Sequence, residues 1–160
     1  MRIITRSLTL STLVVFTFLF AMEGSATAQS RAGLRVGVSA EPEQFYFGGH
    51  VDVSEIVEGF WFRPNVEIGV GNRRTLVGVN GEFVYLFTQR RREWTPYAGG
   101  GPAFVVQSFR AGPPGSSRDT DVGPGFNFVA GIQQNRGLLA EIKIGLMDSP
   151  EFKLGIGWTW

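Results

Sequence analysis

The chain has 160 residues, and its 15 Lys plus Arg against 14 Asp plus Glu leave a formal charge of +1. That length suits one domain, and so even a balance argues against a nucleic-acid partner, which concentrates basic groups. Cysteine is absent, which excludes a disulfide scaffold, a thiolate zinc site and a cysteine-anchored lipoprotein, and the single histidine leaves little material for a His-rich metal site; no cofactor is expected.

The chain opens with Met1 to Ala28, which reads as a secretory signal peptide. Arg2 and Arg6 form a positive start, and Ser7 to Met22 is uncharged and rich in Leu, Val and Phe. Ala26-Thr27-Ala28 is a small-x-small cleavage pattern that makes Gln29 the first mature residue. The uncharged run is 16 residues, short of the ~20 a membrane helix needs. The expected division is therefore 1–28 signal peptide and 29–160 a single domain. Removing Arg2, Arg6 and Glu23 leaves 15 − 2 = 13 basic and 14 − 1 = 13 acidic residues.

From residue 33 onward the dominant pattern has period 2, which predicts strands. The segments are Leu34–Ala40, Phe45–Val53, Phe62–Val70, Val77–Phe87, Val122–Ile132, Leu138–Leu146 and Phe152–Trp160. An eighth, Thr95–Gln107, has its parity blurred by Gly99-Gly100-Gly101-Pro102, which suggests a bend or bulge. Turn residues separate the segments: Glu41-Pro42-Glu43, Gly71-Asn72, Asn135-Arg136-Gly137 and Asp148-Ser149-Pro150. The longest break is Arg110–Thr120, with Gly112-Pro113-Pro114-Gly115-Ser116-Ser117. No useful helical period occurs.

One face of these strands is apolar throughout. The other carries Arg35, Asp52, Arg63, Glu67, Glu82, Glu141, Lys143 and Lys153 among many glycines. A soluble sheet buries the apolar face and wets the ionic one. A membrane barrel reverses this, with an outer apolar band about 25 Å tall. Eight spanning strands of ~9–11 residues would use ~80 residues of the mature chain, leaving enough for the connections. The expected fold is an all-β, eight-stranded antiparallel up-and-down transmembrane barrel. In a barrel that narrow the ionic face points inward, where opposite charges pair.

The chain ends inside a strand, Lys153-Leu154-Gly155-Ile156-Gly157-Trp158-Thr159-Trp160. This octapeptide resembles the C-terminal assembly signal of bacterial outer-membrane barrels, with Lys153, Gly155, Trp158 and Trp160 at its four defined places. Trp94-Thr95-Pro96-Tyr97-Ala98-Gly99-Gly100-Gly101 resembles the Pro-Tyr-x-Gly-x-Gly strand of the small outer-membrane β-barrel domain family. The resemblance covers residues 32–160. It implies export, insertion by the barrel-assembly machinery, residence in the bacterial outer membrane among its lipids and lipopolysaccharide, and both termini in the periplasm. A monomer is expected.

On that topology Trp94, Tyr97, Tyr85, Phe87, Trp158 and Trp160 fall at the periplasmic rim, and Phe45, Phe47, Phe109 and Phe152 at the outer rim, as aromatic girdles. The outward connections are Glu41–Gln44, Gly71–Arg74, Ser108–Thr120 and Asp148–Glu151. They carry Arg73, Arg74, Arg110 and Arg118, which are either phosphate contacts or solvated turn residues. Arg90-Arg91-Arg92 lies on an inner turn. His50, Asp52 and Ser54 share the lumen-facing parity. They raise the alternative of a lipid A-modifying enzyme, while the simpler reading places His50 and Asp52 in an interior polar network. With four charges of each sign facing inward, the bore should be plugged rather than conduct. The expected role is therefore a non-enzymatic envelope protein, supporting membrane integrity or surface interaction. A third reading, a soluble barrel binding a small apolar ligand, requires an apolar interior.

Overall fold

A computed structural model describes residues 30–72, 74–87, 93–110 and 118–160, with the backbone alone at Ser54, Arg110 and Arg118. The signal peptide with Ala26, Ala28 and Gln29, as well as Arg73, Arg90–Arg92 and the segment 111–117, lies outside the described residues. The strands are β1 (Arg31–Ala40), β2 (Gln44–Asp52), β3 (Ser54–Val57), β4 (Phe60–Gly71), β5 (Arg74–Leu86), β6 (Trp94–Arg110), β7 (Arg118–Gln134), β8 (Leu138–Met147) and β9 (Phe152–Thr159).

All pairings are antiparallel. They run β2-β1-β9-β8-β7-β6-β5-β4-β3, and a β2–β4 pairing joins the two ends into a ring. The nine segments make eight staves. β2 and β3 are one stave interrupted at Val53, and both pair with β4, β2 through Gln44↔Gly71 to His50↔Asn65 and β3 through Ser54↔Phe62. The sequence pattern ends at this break, at Val53, and beyond it Glu55, Ile56 and Val57 are all exposed, with no alternation to mark a strand. The last strand closes the ring: β9 pairs with β8 from Leu138↔Trp158 and with β1 from Gly33↔Thr159. Closure leaves the long pairings without a free sheet edge.

The apolar faces point out. Phe45 is 76 % exposed and Ile156 59 %, and Leu34, Val36, Phe47, Val79, Phe104, Phe128, Ile144 and Leu154 are likewise open. Soluble proteins seldom expose contiguous apolar surface on this scale, whereas a barrel in lipid must. Aromatic rings pack along this wall, Phe62 against Phe83 at 5.0 Å and Phe126 against Phe128 at 5.0 Å between centroids.

Two local expectations need correction. β6 carries no bulge: its register with β7 runs unbroken from Trp94↔Gln134 to Arg110↔Arg118, and its register with β5 keeps one offset from Asn80↔Ala103 to Phe83↔Gly100. The glycines serve close approach instead. A Cβ on Gly99 or Gly101 would strike the Phe83 or Gly81 carbonyl oxygen of the neighbouring strand. The outer connection expected over Ser108–Thr120 is also shorter, because β6 reaches Arg110 and β7 starts at Arg118.

The turn between β3 and β4 shows how the inner end is fixed. Gly59 sits at φ 81, a region favouring glycine, and its N–H donates to Glu55 Oε1 at 2.6 Å. Its carbonyl accepts from Leu86 N at 2.7 Å, which ties the turn to β5.

Candidate functional site

Polar side chains converge in the bore. The inward positions of β1, β4, β5, β8 and β9 carry three cations, Arg35, Lys143 and Lys153, and three carboxylates, Glu67, Glu82 and Glu141, all nearly excluded from solvent. Lys143 Nζ donates to Glu67 Oε1 at 2.5 Å and to Glu82 Oε1 at 2.6 Å. Lys153 Nζ reaches Glu67 Oε2 at 2.6 Å. Arg35 Nη1 donates to Glu141 Oε1 at 2.8 Å and stands 3.6 and 3.7 Å from Glu67 and Glu82. The cluster is neutral, three against three, so burial leaves no uncompensated charge.

Nearer the chain termini is a second cluster. Arg63 grips Asp52 through two bonds, Nε to Oδ1 at 2.5 Å and Nη2 to Oδ2 at 3.2 Å, and also donates to Gln133 Oε1 at 3.1 Å. Arg31 Nη2 adds a bond to Asp52 Oδ2 at 3.1 Å. Between the clusters runs an amide ladder: Asn127 Nδ2 donates to Asn80 Oδ1 at 2.8 Å, and Asn80 Nδ2 to Asn65 Oδ1 at 2.7 Å. The ladder spans β7, β5 and β4. The intervening β6 offers only Gly101 and Ala103 at the matching register, which leaves the amides room to meet. Apolar groups occupy other inward positions, among them Val84, Val129 and Leu139.

The structure places Arg35, His50, Asp52, Arg63, Glu67, Glu82, Glu141, Lys143 and Lys153 together inside the barrel. The interior centre is ionic, which contradicts the apolar interior that a carrier of apolar ligands requires. Tyr97 is a correction. Expected at the aromatic girdle, it lies inside with 2 % exposure, its hydroxyl donating to Glu141 Oε2 at 2.8 Å and its ring under the Arg63 guanidinium at 5.1 Å. Its odd parity on β6 matches Ala103 and Val105, both inward, while Trp94 has the outward parity. The Gly run hid that parity from a sequence reading. Trp94, Trp158 and Trp160 are exposed on the outer wall near the ends of their strands. Of the terminal octapeptide, Lys153 and Gly155 face the bore, where a Cβ on Gly155 would meet the Tyr46 hydroxyl.

Sequence reasoning missed Tyr46, Asn65, Asn80, Asn127, Gln133 and Thr159, all buried. Tyr46, Asn65, Asn80 and Thr159 share the parity of their strands' inward charges, and Asn127 and Gln133 lie opposite the apolar face of β7, so parity was the available signal. His50 and Asp52 do share the lumen, but not a relay. His50 Nε2 bonds Thr159 Oγ1 at 3.0 Å, and the Asp52 carboxylate is occupied by two arginines. Ser54 opens β3, beyond the break at Val53. Among the described residues no group of three His, Asp or Glu side chains is placed to hold a metal ion.

A closed eight-stave barrel with a charged bore and an apolar wall has the architecture of the small outer-membrane barrels. Among solved structures the chain is similar to Neisserial surface protein A, with TM-score 0.61 and 12 % identity over 81 % of this chain and 94 % of that one. It is also similar to the N-terminal β-barrel domain of Pseudomonas aeruginosa OprF, with TM-score 0.58 and 13 % identity over 83 % of this chain and 98 % of that one. At these identities the likeness is one of fold. No protein-family model and no curated protein sequence matches the chain.

Proposed function

We propose that this is an integral protein of a bacterial outer membrane, exported by its leader and folded into the bilayer as a closed, non-conducting barrel. Its role on this reading is mechanical and surface-facing: it stabilises the membrane or presents its outer turns, and it catalyses no reaction. The observation that carries the proposal is the inverted burial. Arg63, Glu82 and Lys143 are wholly buried while Phe45, Ile156 and Met147 lie open. No aqueous environment favours that distribution, and lipid does.

The lumen supports the closed state. Charges from β1, β4, β5, β8 and β9 meet across the bore at hydrogen-bonding distance, and an eight-strand barrel is only wide enough for its own side chains. The assembly machinery would read Lys153, Gly155, Trp158 and Trp160, and Trp94 with the terminal tryptophans would anchor the periplasmic rim in lipid headgroups. The test is fractionation followed by planar-bilayer recording of the purified protein. The proposal expects recovery in the outer-membrane fraction, a gel shift on boiling in SDS, and no stable nanosiemens-scale steps. Recovery in the soluble periplasm, or steady large steps, would overturn it.

A further inference from the structure

A furrow of about 610 Å³ crosses the outer wall over β7, β8, β9 and β1. It lies between two rows of outward side chains. Val38, Leu154, Ile142 and Ala130 are successive cross-strand partners and form one bank. Ile156, Ala140 and Ile132, likewise partners, form the bank nearer the chain termini. The floor between them is backbone, because positions 37, 155, 141 and 131 have the inward parity. Three of these are glycines, and the Glu141 carboxylate is engaged inside by Arg35 and Tyr97. The alanines at 130 and 140 each lower a bank. The next row toward the outer end, Phe128, Ile144 and Phe152, is bulky and bounds the furrow above.

The dimensions match a lipid tail. Four strands are crossed at three spacings of ~4.8 Å, or about 14 Å, close to the ~15 Å that one leaflet contributes to a ~30 Å hydrocarbon core. Ala140 opens the near bank toward the end of the barrel that holds the chain termini. Beyond it on β8 comes Leu138, paired with Trp158, and then Arg136 in the β7–β8 turn, no more than about 13 Å of backbone away. Two groups at this turn are unspent. Arg136 is exposed and forms no ion pair among the described residues. Glu93, whose carbonyl accepts from Asn135 N at 3.0 Å, spends its carboxylate on Gln134 Nε2 at 2.5 Å. The Trp158 indole nitrogen stands beside the turn, 3.2 Å from where a Cβ on Gly137 would lie, and donates to no acceptor among the described residues.

We propose that this wall binds a single anionic glycerophospholipid, with one acyl chain in the furrow and the phosphate held by Arg136 and the Trp158 indole N–H. A guanidinium grips phosphate through two N–H groups. An indole at the interface keeps its ring in the apolar layer while its N–H reaches a polar partner. Charge sets the headgroup class: an uncompensated cation favours a singly negative headgroup over a zwitterion, whose ammonium offsets its phosphate. The lipid sits in the leaflet at the chain-terminal end, so the site rests on the proposed membrane barrel and assigns it a lipid class and a place on the wall.

The experiment is native mass spectrometry of the protein purified in a non-ionic detergent and titrated with phosphatidylglycerol or, separately, phosphatidylcholine. One saturable phosphatidylglycerol adduct is expected, formed at a lower lipid concentration than the phosphatidylcholine adduct. Arg136→Gln should weaken it by up to about fivefold, the worth of an exposed charge pair, and remove the preference between headgroups. Ala140→Leu, which fills the furrow, should weaken both lipids alike. Arg74→Gln at the opposite rim and Val79→Leu on the far wall, both exposed positions of β5, should bind as the parent does. Retention of the heat-dependent gel shift establishes that each variant is folded, and Arg136→Gln, on an exposed turn, keeps the test decisive if Ala140→Leu fails to fold. Adducts that accumulate without saturation, equal affinity of the parent for both headgroups, a folded Ala140→Leu that binds as the parent does, or weakening by Arg74→Gln equal to that by Arg136→Gln would each overturn the proposal. A parent chain with no gel shift that stays soluble without detergent would overturn the membrane barrel itself, and the site with it.

Discussion

Lys143 is the keystone of the bore, and replacing it by Met tests whether the ion cluster holds the barrel together. Its ammonium lies 2.5 Å from Glu67, 2.6 Å from Glu82 and 3.8 Å from Glu141, and its side chain is fully buried. Met keeps most of the volume and removes the charge. Glu67 then retains Lys153 at 2.6 Å, but Glu82 is left with Arg35 alone, at 3.7 Å. The cluster changes from three against three to two cations against three carboxylates. Stranding one carboxylate in a buried site costs about 3–5 kcal/mol, a large part of the 5–15 kcal/mol that holds a typical domain together. Restoring neutrality should recover much of the loss. Lys143→Met with Glu82→Gln leaves two cations and two carboxylates, and the double-mutant cycle should show a coupling of about 1–3 kcal/mol. The assay is reversible urea unfolding in lipid vesicles, followed by tryptophan emission. A single-variant loss below about 1 kcal/mol, the worth of exposed pairs, with no coupling to Glu82, would refute the reasoning.

Further outcomes follow from the same geometry. Tyr97→Phe removes the hydroxyl that donates to Glu141 Oε2 and should cost about 1–3 kcal/mol in the same unfolding assay, whereas a lipid-facing Tyr97 would lose almost nothing. Gly101→Ala should abolish the heat-dependent gel shift, because its Cβ meets the Gly81 carbonyl oxygen. Gly78→Ala should keep the shift, since its nearest neighbours stand at 3.8 Å. His50→Ala should leave the lipid A mass spectrum of expressing cells unchanged, and any loss should appear in stability, through the broken bond to Thr159.

Much of this architecture is legible before any coordinates. The alternation that places Leu34, Val36 and Val38 on one face and Arg35 on the other separates an apolar from an ionic side on each stave, and closure of the barrel turns the ionic side into the bore. Partners within the bore are another matter. Arg35 and Glu141 are 106 residues apart in sequence and meet because closure of the ring pairs β9 with β1 as well as with β8, which sets β1 two staves from β8. No single segment encodes that closure. Tyr97 shows a second limit. An aromatic ring with a hydroxyl suits either the membrane interface or a polar bore, and only parity separates the two. In β6 the neighbouring inward residues are Gly99 and Gly101, which carry no side chain to mark the parity.

The central claim is that charged groups fill the inside of the barrel while its outer wall meets lipid. Because the chain lacks cysteine, single cysteines can be placed along β7 at Asn127, Phe128, Val129, Ala130, Ile132 and Gln133 and tagged with a small fluorophore. Quenching by brominated lipid should alternate, strong at positions 128, 130 and 132 and weak at 127, 129 and 133. Uniform quenching, or the opposite alternation, would contradict the account.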